Sequence, residues 1–295
     1  MNTDFENIRQ HLIRLAYRML GSVSEAEDVV QDAWLRWQSA GEPHLDFPRA
    51  WFTKTCTRLC LDRFKSAQRA REEYFGEWLP EPILTHAHER DRLDESLSMA
   101  LLLTVQRLRP TERAAFLLHD VFGYTFDEVA EILELESANC RQLAVRARRH
   151  LKSDALRSET DQVTVQRLSE AFFQAIHDGD MDSLQSVLTE NVVMRTDGGG
   201  KAAAAKHPLK GIAEVTHFLY KVFVAPTRPP SARPRFVWFN GAPGALLLQD
   251  GQPVSAFHFQ VVDDRINAIF VQRNPDKLMV FNGFREASTN GSKVS

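Results

Sequence analysis

The chain has 295 residues, 43% of them hydrophobic and 25% charged, a balance that excludes disordered, collagen-like and rod-like chains and a length that suits about two domains. A net charge of -3 rules out a protein that is polybasic as a whole, but it leaves room for local segregation of charge. Asp4, Glu6 and Arg9 interrupt the N-terminus and no apolar stretch approaches the roughly 18 residues of a membrane span, so a cytoplasmic protein without membrane contact is expected. Cys56, Cys60 and Cys140 are expected as buried thiols, too few for a disulfide framework and without partners for a zinc site.

Phe5, Ile8, Leu12, Leu15 and Met19 recur at steps of three and four, which predicts a helix closed by Gly21. Ser24 and Glu27 match a capping box ahead of Val29, Val30, Ala33, Trp34 and Trp37, where a second helix is expected to start. Asp46 and Pro48 signal a third, long helix through Trp51, Phe52, Leu59, Leu61 and Phe64 to about Arg71. Periodicity fails from Glu73 to His88, and Pro80 and Pro82 mark a linker there. Helices resume with Leu97, Leu101, Leu102, Val105 and Leu108 up to Pro110, and Thr111 is the expected cap of the next, which carries Ala115, Phe116, Leu118 and Val121 to Gly123. Thr125 and Glu128 repeat the capping box before Val129, Ala130, Ile132 and Leu133. After a turn at Glu134 to Glu136, Ser137 is expected to cap a last helix from Ala138 to about Lys152, which completes a helix-turn-helix pattern.

The pattern changes near residue 160. Val163–His177 and Met181–Leu188 read as helices, Val192–Met194 as a short apolar run, Gly198–Gly200 as a glycine cluster and Ile212–Val224 as a third helix. Beyond a break at Pro226–Pro234, strands are expected at Arg235–Phe239, Ala245–Gln249, Val254–Val262 and Ile266–Gln272, with Asp250-Gly251 and Asp263-Asp264 as hairpin turns. Helices followed by an antiparallel meander describe an α+β domain whose curved sheet wraps one long helix.

Between Asp46 and Glu72, seven basic residues (Arg49, Lys54, Arg58, Arg63, Lys65, Arg69 and Arg71) face three acids. Lys54, Arg58 and Lys65 share a helix side with Trp51, Phe52 and Phe64 interleaved. That pattern suits phosphates and unpaired bases, and equally a solvated basic face over a buried aromatic core. Arg141, Arg146, Arg148, Arg149 and Lys152 fall within twelve acid-free residues on the second helix of the helix-turn-helix. In a major groove, arginine pairs with guanine and Gln142 with adenine, while other cations hold phosphates. Glu25, Glu27, Asp28 and Asp32 make the second helix acidic beside Val29, Val30 and Trp34, a face that repels DNA and suits a protein partner.

The segments SEAEDVVQDAWLRW (24–37) and PRAWFTKTCTRLCLDRFK (48–65) resemble region 2 of the extracytoplasmic-function sigma factors, and LRPTERAAFLLHDVFGYTFDEVAEILELESANCRQLAVRARRHL (108–151) resembles their region 4. Together they cover about half the chain, in the right order. WLPEP (78–82), DGGGK (197–201) and NPDKL (274–278) are similar to signature pieces of the subgroup with a C-terminal SnoaL-like, NTF2-like extension. The resemblance implies two all-α sigma domains, region 2 at 1–72 and the region 4 helix-turn-helix at 95–157, joined by a linker at 73–94. An α+β cone domain at 160–285 and a flexible tail at 286–295 follow. It implies core RNA polymerase, through its β′ clamp and its β subunit, and promoter DNA as partners, with no cofactor, metal or catalytic residue.

By the same resemblance, Glu25, Asp28, Asp32 and Trp34 meet the clamp helices of β′. Trp51, Lys54, Arg58, Arg63 and Lys65 open the -10 element, where aromatic and cationic contacts offset the few kcal/mol that unstacking a base costs. Ser137, Asn139, Arg141, Gln142, Arg146, Arg148 and Arg149 read the -35 element as duplex. Trp78, Leu79, Pro80, Asp197, Gly198, Gly199, Gly200, Lys201, Asn274, Pro275, Asp276, Lys277 and Leu278 are the regulatory contacts of an extension that replaces a separate anti-sigma protein. Val145 departs from the family pattern, which has a small polar residue there, so promoter preference is not carried over.

SnoaL-like domains include small cyclases and hydrolases, which makes Asp197, His207, His258 and Asp263 the candidates for an enzymatic alternative. Their spacing is not diagnostic: Asp263 suits a hairpin turn, Asp197 a glycine loop and His258 a half-buried strand position. Gly198–Gly200 lacks the spacing of a phosphate loop despite Lys201. Asn274 to Asp276 suits a turn, with Leu278 as an apolar docking anchor. An unknown small ligand in a C-terminal pocket stays open, as does a ligand-responsive helix-turn-helix regulator, which would lack the melting helix and the polymerase face.

Overall fold

The computed structural model describes residues 2–41, 44, 46–72, 74–85, 98–151, 161–224 and 234–282, with the backbone alone for 2–4, 7 and 65–72. The expected tail at 286–295, Lys152 and part of the linker lie outside the described residues.

Three helices, α1 (Asn2–Leu20), α2 (Val23–Ser39) and α3 (Pro48–Glu72), pack together. Next come α4 (Met99–Val105), α5 (Pro110–Phe116, continued by a π turn at Leu117–Val121), α6 (Phe126–Leu133) and α7 (Ser137–Leu151). Both units bury their apolar stripes in one shared core, in which Leu12, Val30 and Phe52 join Leu102, Leu118, Val129 and Ala147.

Two helix starts differ from expectation. Ser22 rather than Ser24 caps α2, accepting from the Glu25 N–H at 3.3 Å. Glu81 of the linker takes the Val23 N–H at 2.6 Å, so a carboxylate 58 positions away completes the terminus. Thr111 lies inside α5, which begins at Pro110. The Thr125–Glu128 capping box forms as expected. Ser137 is the first residue of α7, and the carbonyl of Glu136 receives the N–H groups of Asn139 and Cys140.

The C-terminal part opens with α8 (Gln162–Asp178) and α9 (Met181–Ser186). Among the described residues its sheet has six strands, β1 (Leu188–Asp197), β2 (Leu209–Lys210), β3 (Pro234–Phe239), β4 (Ala242–Gln249), β5 (Gln252–Val262) and β6 (Arg265–Gln272), in the order β2-β1-β6-β5-β4-β3. Between β2 and β3 lies α10 (Ile212–Leu219), extended by a π turn at Tyr220–Val224, and α11 (Pro275–Leu278) follows β6. β3 to β6 form the expected antiparallel meander. Asp250-Gly251, Asp263-Asp264 and also Asn240-Gly241 hold positive φ at both positions, the turn geometry that matches strand twist. β1 is longer than the short run expected and pairs parallel with β6; the long connection through α10 supplies the crossover that a parallel neighbour needs.

The sheet is covered on both faces, which explains why β5 is buried continuously from Ser255 to Val261. Leu247, Phe257, Phe259 and Val271 pack under α8 and α10. On the other face, Ala268 and Phe270 meet Leu79 of the linker and Met99 and Ala100 of α4, while Val237, Phe239 and Phe281 pack with Leu84. His258 belongs to this second face, 4% exposed beside Phe239 and Phe270. It is fully buried rather than half-buried, and burial lowers its pKa to about 4. All three cysteines are buried and free, as expected.

Candidate nucleic-acid face, polymerase face and linker clasp

Cys140, Ala144, Ala147 and Leu151 bury one side of α7, which turns Asn139, Gln142, Arg146 and Arg149 outward with Val145, 48% exposed, among them. Arg141 is exposed and lies 5.6 Å over the Phe126 ring. Arg148 turns back toward the protein, its Nε 2.6 Å from the Asp120 carboxylate. The Ser137 hydroxyl oxygen is buried without a hydrogen-bond partner among the described residues.

Lys54 and Arg58 share a side of α3, and both reach Glu134 in the turn between α6 and α7, Lys54 at 3.2 Å. Glu134 adopts left-handed backbone, φ 56° and ψ 47°, which is unfavourable for a residue with a Cβ. The Lys54 contact holds its carboxyl below the usual range. Arg63 faces elsewhere: it pairs with Asp32 at 2.6 Å and Asp28 at 3.6 Å, tying α3 to α2. The Lys65 side chain lies outside the described residues. Phe52 and Phe64, 3% and 5% exposed, are core residues, which decides for the buried aromatic core and against stacking surfaces at these two positions. Trp51 is half-buried, edge-on to Phe52. Phe47, 79% exposed just before α3, is the aromatic surface that the sequence reading missed.

On α2, Asp28 is exposed and Glu25 and Asp32 are half-buried. Trp34 is half-buried in a ring cluster with Phe5 and Trp37, at 4.4 and 4.8 Å between centroids. Leu35, 47% exposed, was also missed.

The α1–α3 and α4–α7 units are tied by polar contacts as well. Arg113 donates to the Met19 carbonyl at 2.5 Å. The Tyr124 hydroxyl lies 2.9 Å from His11 Nε2 and 3.2 Å from Thr53 Oγ1. Burial, then the charges of Arg49, Arg14 and Arg18, lowers the His11 pKa to about 4.

The linker, residues 74–85, is clasped between the α1–α2 junction and the C-terminal sheet. The buried Asp197 carboxylate accepts from Tyr74 OH at 2.7 Å, Leu79 N–H at 2.9 Å, Gly199 N–H at 3.0 Å, Lys277 Nζ at 2.8 Å and Gln272 Nε2 at 3.3 Å. Lys277 also donates to the Leu79 carbonyl at 2.6 Å and lies 4.4 Å from the Trp78 ring. A Cβ on Gly199 would fall 2.4 Å from Asn274 Nδ2, so only glycine seats the loop there. Lys201 pairs with Asp276 at 2.5 Å, Leu278 is buried with Phe281, and Pro80 is buried within the linker. On the other flank the Glu81 carboxylate accepts from Ser22 and Val23, and Tyr17 OH donates to the Glu81 carbonyl at 2.6 Å and accepts from Asn240 Nδ2 at 2.9 Å. Gly21 leaves room for Trp78, whose ring would lie 2.6 Å from any Cβ. The three short motifs thus meet at one place, and Tyr17, Glu81 and Asn240, missed in the sequence, complete it.

The four residues of the enzymatic alternative do not converge. Asp197 is taken up by the clasp, His258 is sealed between rings, His207 is exposed and Asp263 sits in a turn.

Residues 5–70 match the family model for Sigma-70 region 2, and residues 98–151 match that for Sigma-70, region 4. The chain is 41% identical over 288 residues to the ECF RNA polymerase sigma factor SigJ of Mycobacterium tuberculosis, covering 93% of this chain and 92% of that one. It is 31% identical over 247 residues to the probable ECF RNA polymerase sigma factor SigI of the same species, covering 81% and 85%. The crystal structure of the M. tuberculosis extracytoplasmic function sigma factor SigJ matches with a TM-score of 0.74 at 34% identity, over 95% of this chain and 99% of that one. A helix-turn-helix with an outward basic face and a second helical unit with an acidic helix, matched over most of the chain by these relatives, define a sigma-type transcription initiation factor. The chain belongs to the extracytoplasmic-function family of RNA polymerase sigma factors. No helix among the described residues is long and apolar enough to cross a membrane.

Proposed function

We propose that this sigma factor is held in a closed state by its own C-terminal domain, and that promoter use requires regions 2 and 4 to part. The closed state rests on the pairing of Lys54 and Arg58 with Glu134, and the clasp through which Asp197 and Lys277 of the C-terminal domain grip Leu79 of the linker governs it. The cations suited to the unpaired -10 strand are occupied by a carboxylate of region 4, in the place a phosphate would take. Asn139, Gln142, Arg146 and Arg149 read and grip the -35 duplex, and Val145 suits a thymine methyl. Phe47 and Trp51 flank the melted base. Asp28 and, about two turns further along α2, Leu35 meet the β′ clamp, and region 4 meets the β subunit. The C-terminal domain, SnoaL-like by its motifs, acts as regulator rather than enzyme.

Transcription in vitro with core polymerase tests this. Glu134→Gln should raise promoter output several-fold at low salt, since Lys54 and Arg58 are released while the -35 face is untouched. Output equal to that of the unaltered chain would contradict the closed-state reading.

A further inference from the structure

We infer that the C-terminal domain binds a small apolar carboxylate on the sheet face opposite the clasp, and that β1 with the loop after it connects the two. The inference rests on the proposal that the clasp governs the closed state. A cavity of about 440 Å³ lies between the sheet and α10, and eleven of its sixteen lining residues are apolar. Met194, Phe257 and Val271 come from the sheet, and Phe218 and Phe223 from α10 and its π turn. Volume and lining are those of small-molecule sites, where a few polar groups orient an otherwise apolar ligand. Arg273 is the one cation of the lining, which also includes Thr196 and Ser255, and a guanidinium matches a carboxylate in two-point geometry. The acid of the lining, Asp250, is an exposed turn residue. No histidine or cysteine joins the lining, so the chemistry present is that of binding.

The connection to the linker follows from strand alternation. Met194 and Thr196 line the cavity, while Arg195 and Asp197 point to the other face. There Arg195 pairs with Glu77 at 2.5 Å and Asp197 holds Tyr74 and Leu79. The loop repeats the arrangement. Ala203 and Ala204 line the cavity, and Gly199, Gly200 and Lys201 touch Asn274, Phe75 and Asp276. The loop folds tightly on itself, since a Cβ on Gly198 would fall 2.2 Å from the Ala202 carbonyl and 2.9 Å from the Ala204 methyl. Arg273 closes the circuit: it donates its side chain to the Ala203 carbonyl and its backbone N–H to the Asp197 carbonyl at 2.7 Å. A carboxylate drawn to Arg273 therefore acts on both attachments of the clasp.

The test uses the full chain, with decanoate as probe and decanol and decyltrimethylammonium as controls, in calorimetric titrations paired with hydrogen exchange at the Leu79 amide. Decanoate should bind at least about tenfold more tightly than either control, and Arg273→Gln should abolish that preference. Val222→Trp, and independently Ala203→Leu, should fill the cavity and remove binding. Decanoate should change Leu79 exchange in the unaltered chain and leave it unchanged in the filled variants. No binding by any probe, equal binding of decanoate and decanol, or binding without a change at Leu79 would overturn the inference. Neither measurement involves polymerase or promoter, so such a failure leaves the closed-state proposal to its own test.

Discussion

Asp197 and Lys277 form an ion pair in which neither side chain retains appreciable exposure, 0% and 8%. Such a pair adds little net stability, but removal of one partner strands the other charge in a low-dielectric setting. Asp197→Ala is therefore expected to cost about 3 to 5 kcal/mol in urea unfolding, and adding Lys277→Met should restore part of the loss because no ammonium then remains unpaired. A single variant as stable as the unaltered chain would show that the clasp bears no load. His11 makes a pH prediction. Its pKa, lowered from 6.5 to about 4, means that the unfolded chain takes up the proton first. Its contribution is complete above pH 6.5 and is lost as pH falls toward 4, by at most about 1.4 kcal/mol per pH unit and less after solvent screening. His258 adds in the same direction. Unfolding midpoints from about pH 7.5 to 5 should fall less steeply in His11→Asn than in the unaltered chain, and equal slopes would assign the proton to other groups.

At the scale of elements, α7 yields distinct expectations for neighbouring arginines. Gln142→Ala or Arg146→Ala should lose roughly 1 to 3 kcal/mol on the preferred -35 duplex and relax discrimination there. Arg149→Ala should weaken all duplexes alike and lower the salt slope by about one. Arg148, occupied by Asp120, should change that slope less. Fluorescence anisotropy across a salt series reads all four, and an Arg148 effect equal to that of Arg149 would mean that the Asp120 pair gives way on DNA. The elements themselves were legible where the signal is local: strand alternation, the dipeptides Asp250-Gly251 and Asp263-Asp264, and the capping box at Thr125. They were not legible where the partner is remote. Ser24 looked like a cap because Glu81, which helps seat the true start of α2, lies in another part of the chain. Phe52 and Phe64 could be read as stacking surfaces or as core, because a charge-rich helix gives no sequence sign of which rings its neighbours cover. β1 was read short because Thr189, Glu190 and Asn191 interrupt its apolar pattern, and its parallel pairing with β6 depends on topology that no local pattern encodes.

For the molecule as a whole, the sequence supplied the parts and their order, since region 2, region 4 and the three short motifs each carry their own residue pattern. It did not show how they close on one another. The Asp197 hub gathers all three motifs, the outer face of the sheet accepts both the linker and α4, and Glu134 spans to α3. Each contact joins segments far apart in the chain, and together they hold the basic faces of α3 and α7 in one arrangement. Bivalent promoter binding requires the two surfaces at a spacing set by the linker, because the second contact becomes intramolecular only when that geometry is allowed. The most direct test of closure is the distance between regions 2 and 4, measured by pulsed electron resonance between spin labels on Gln31→Cys and Glu131→Cys, both exposed positions. The labelled chain should give one narrow, short distance when free, and a longer one when bound to core polymerase and promoter or when Asp197→Ala is added. An identical distance distribution in all three states would contradict the account.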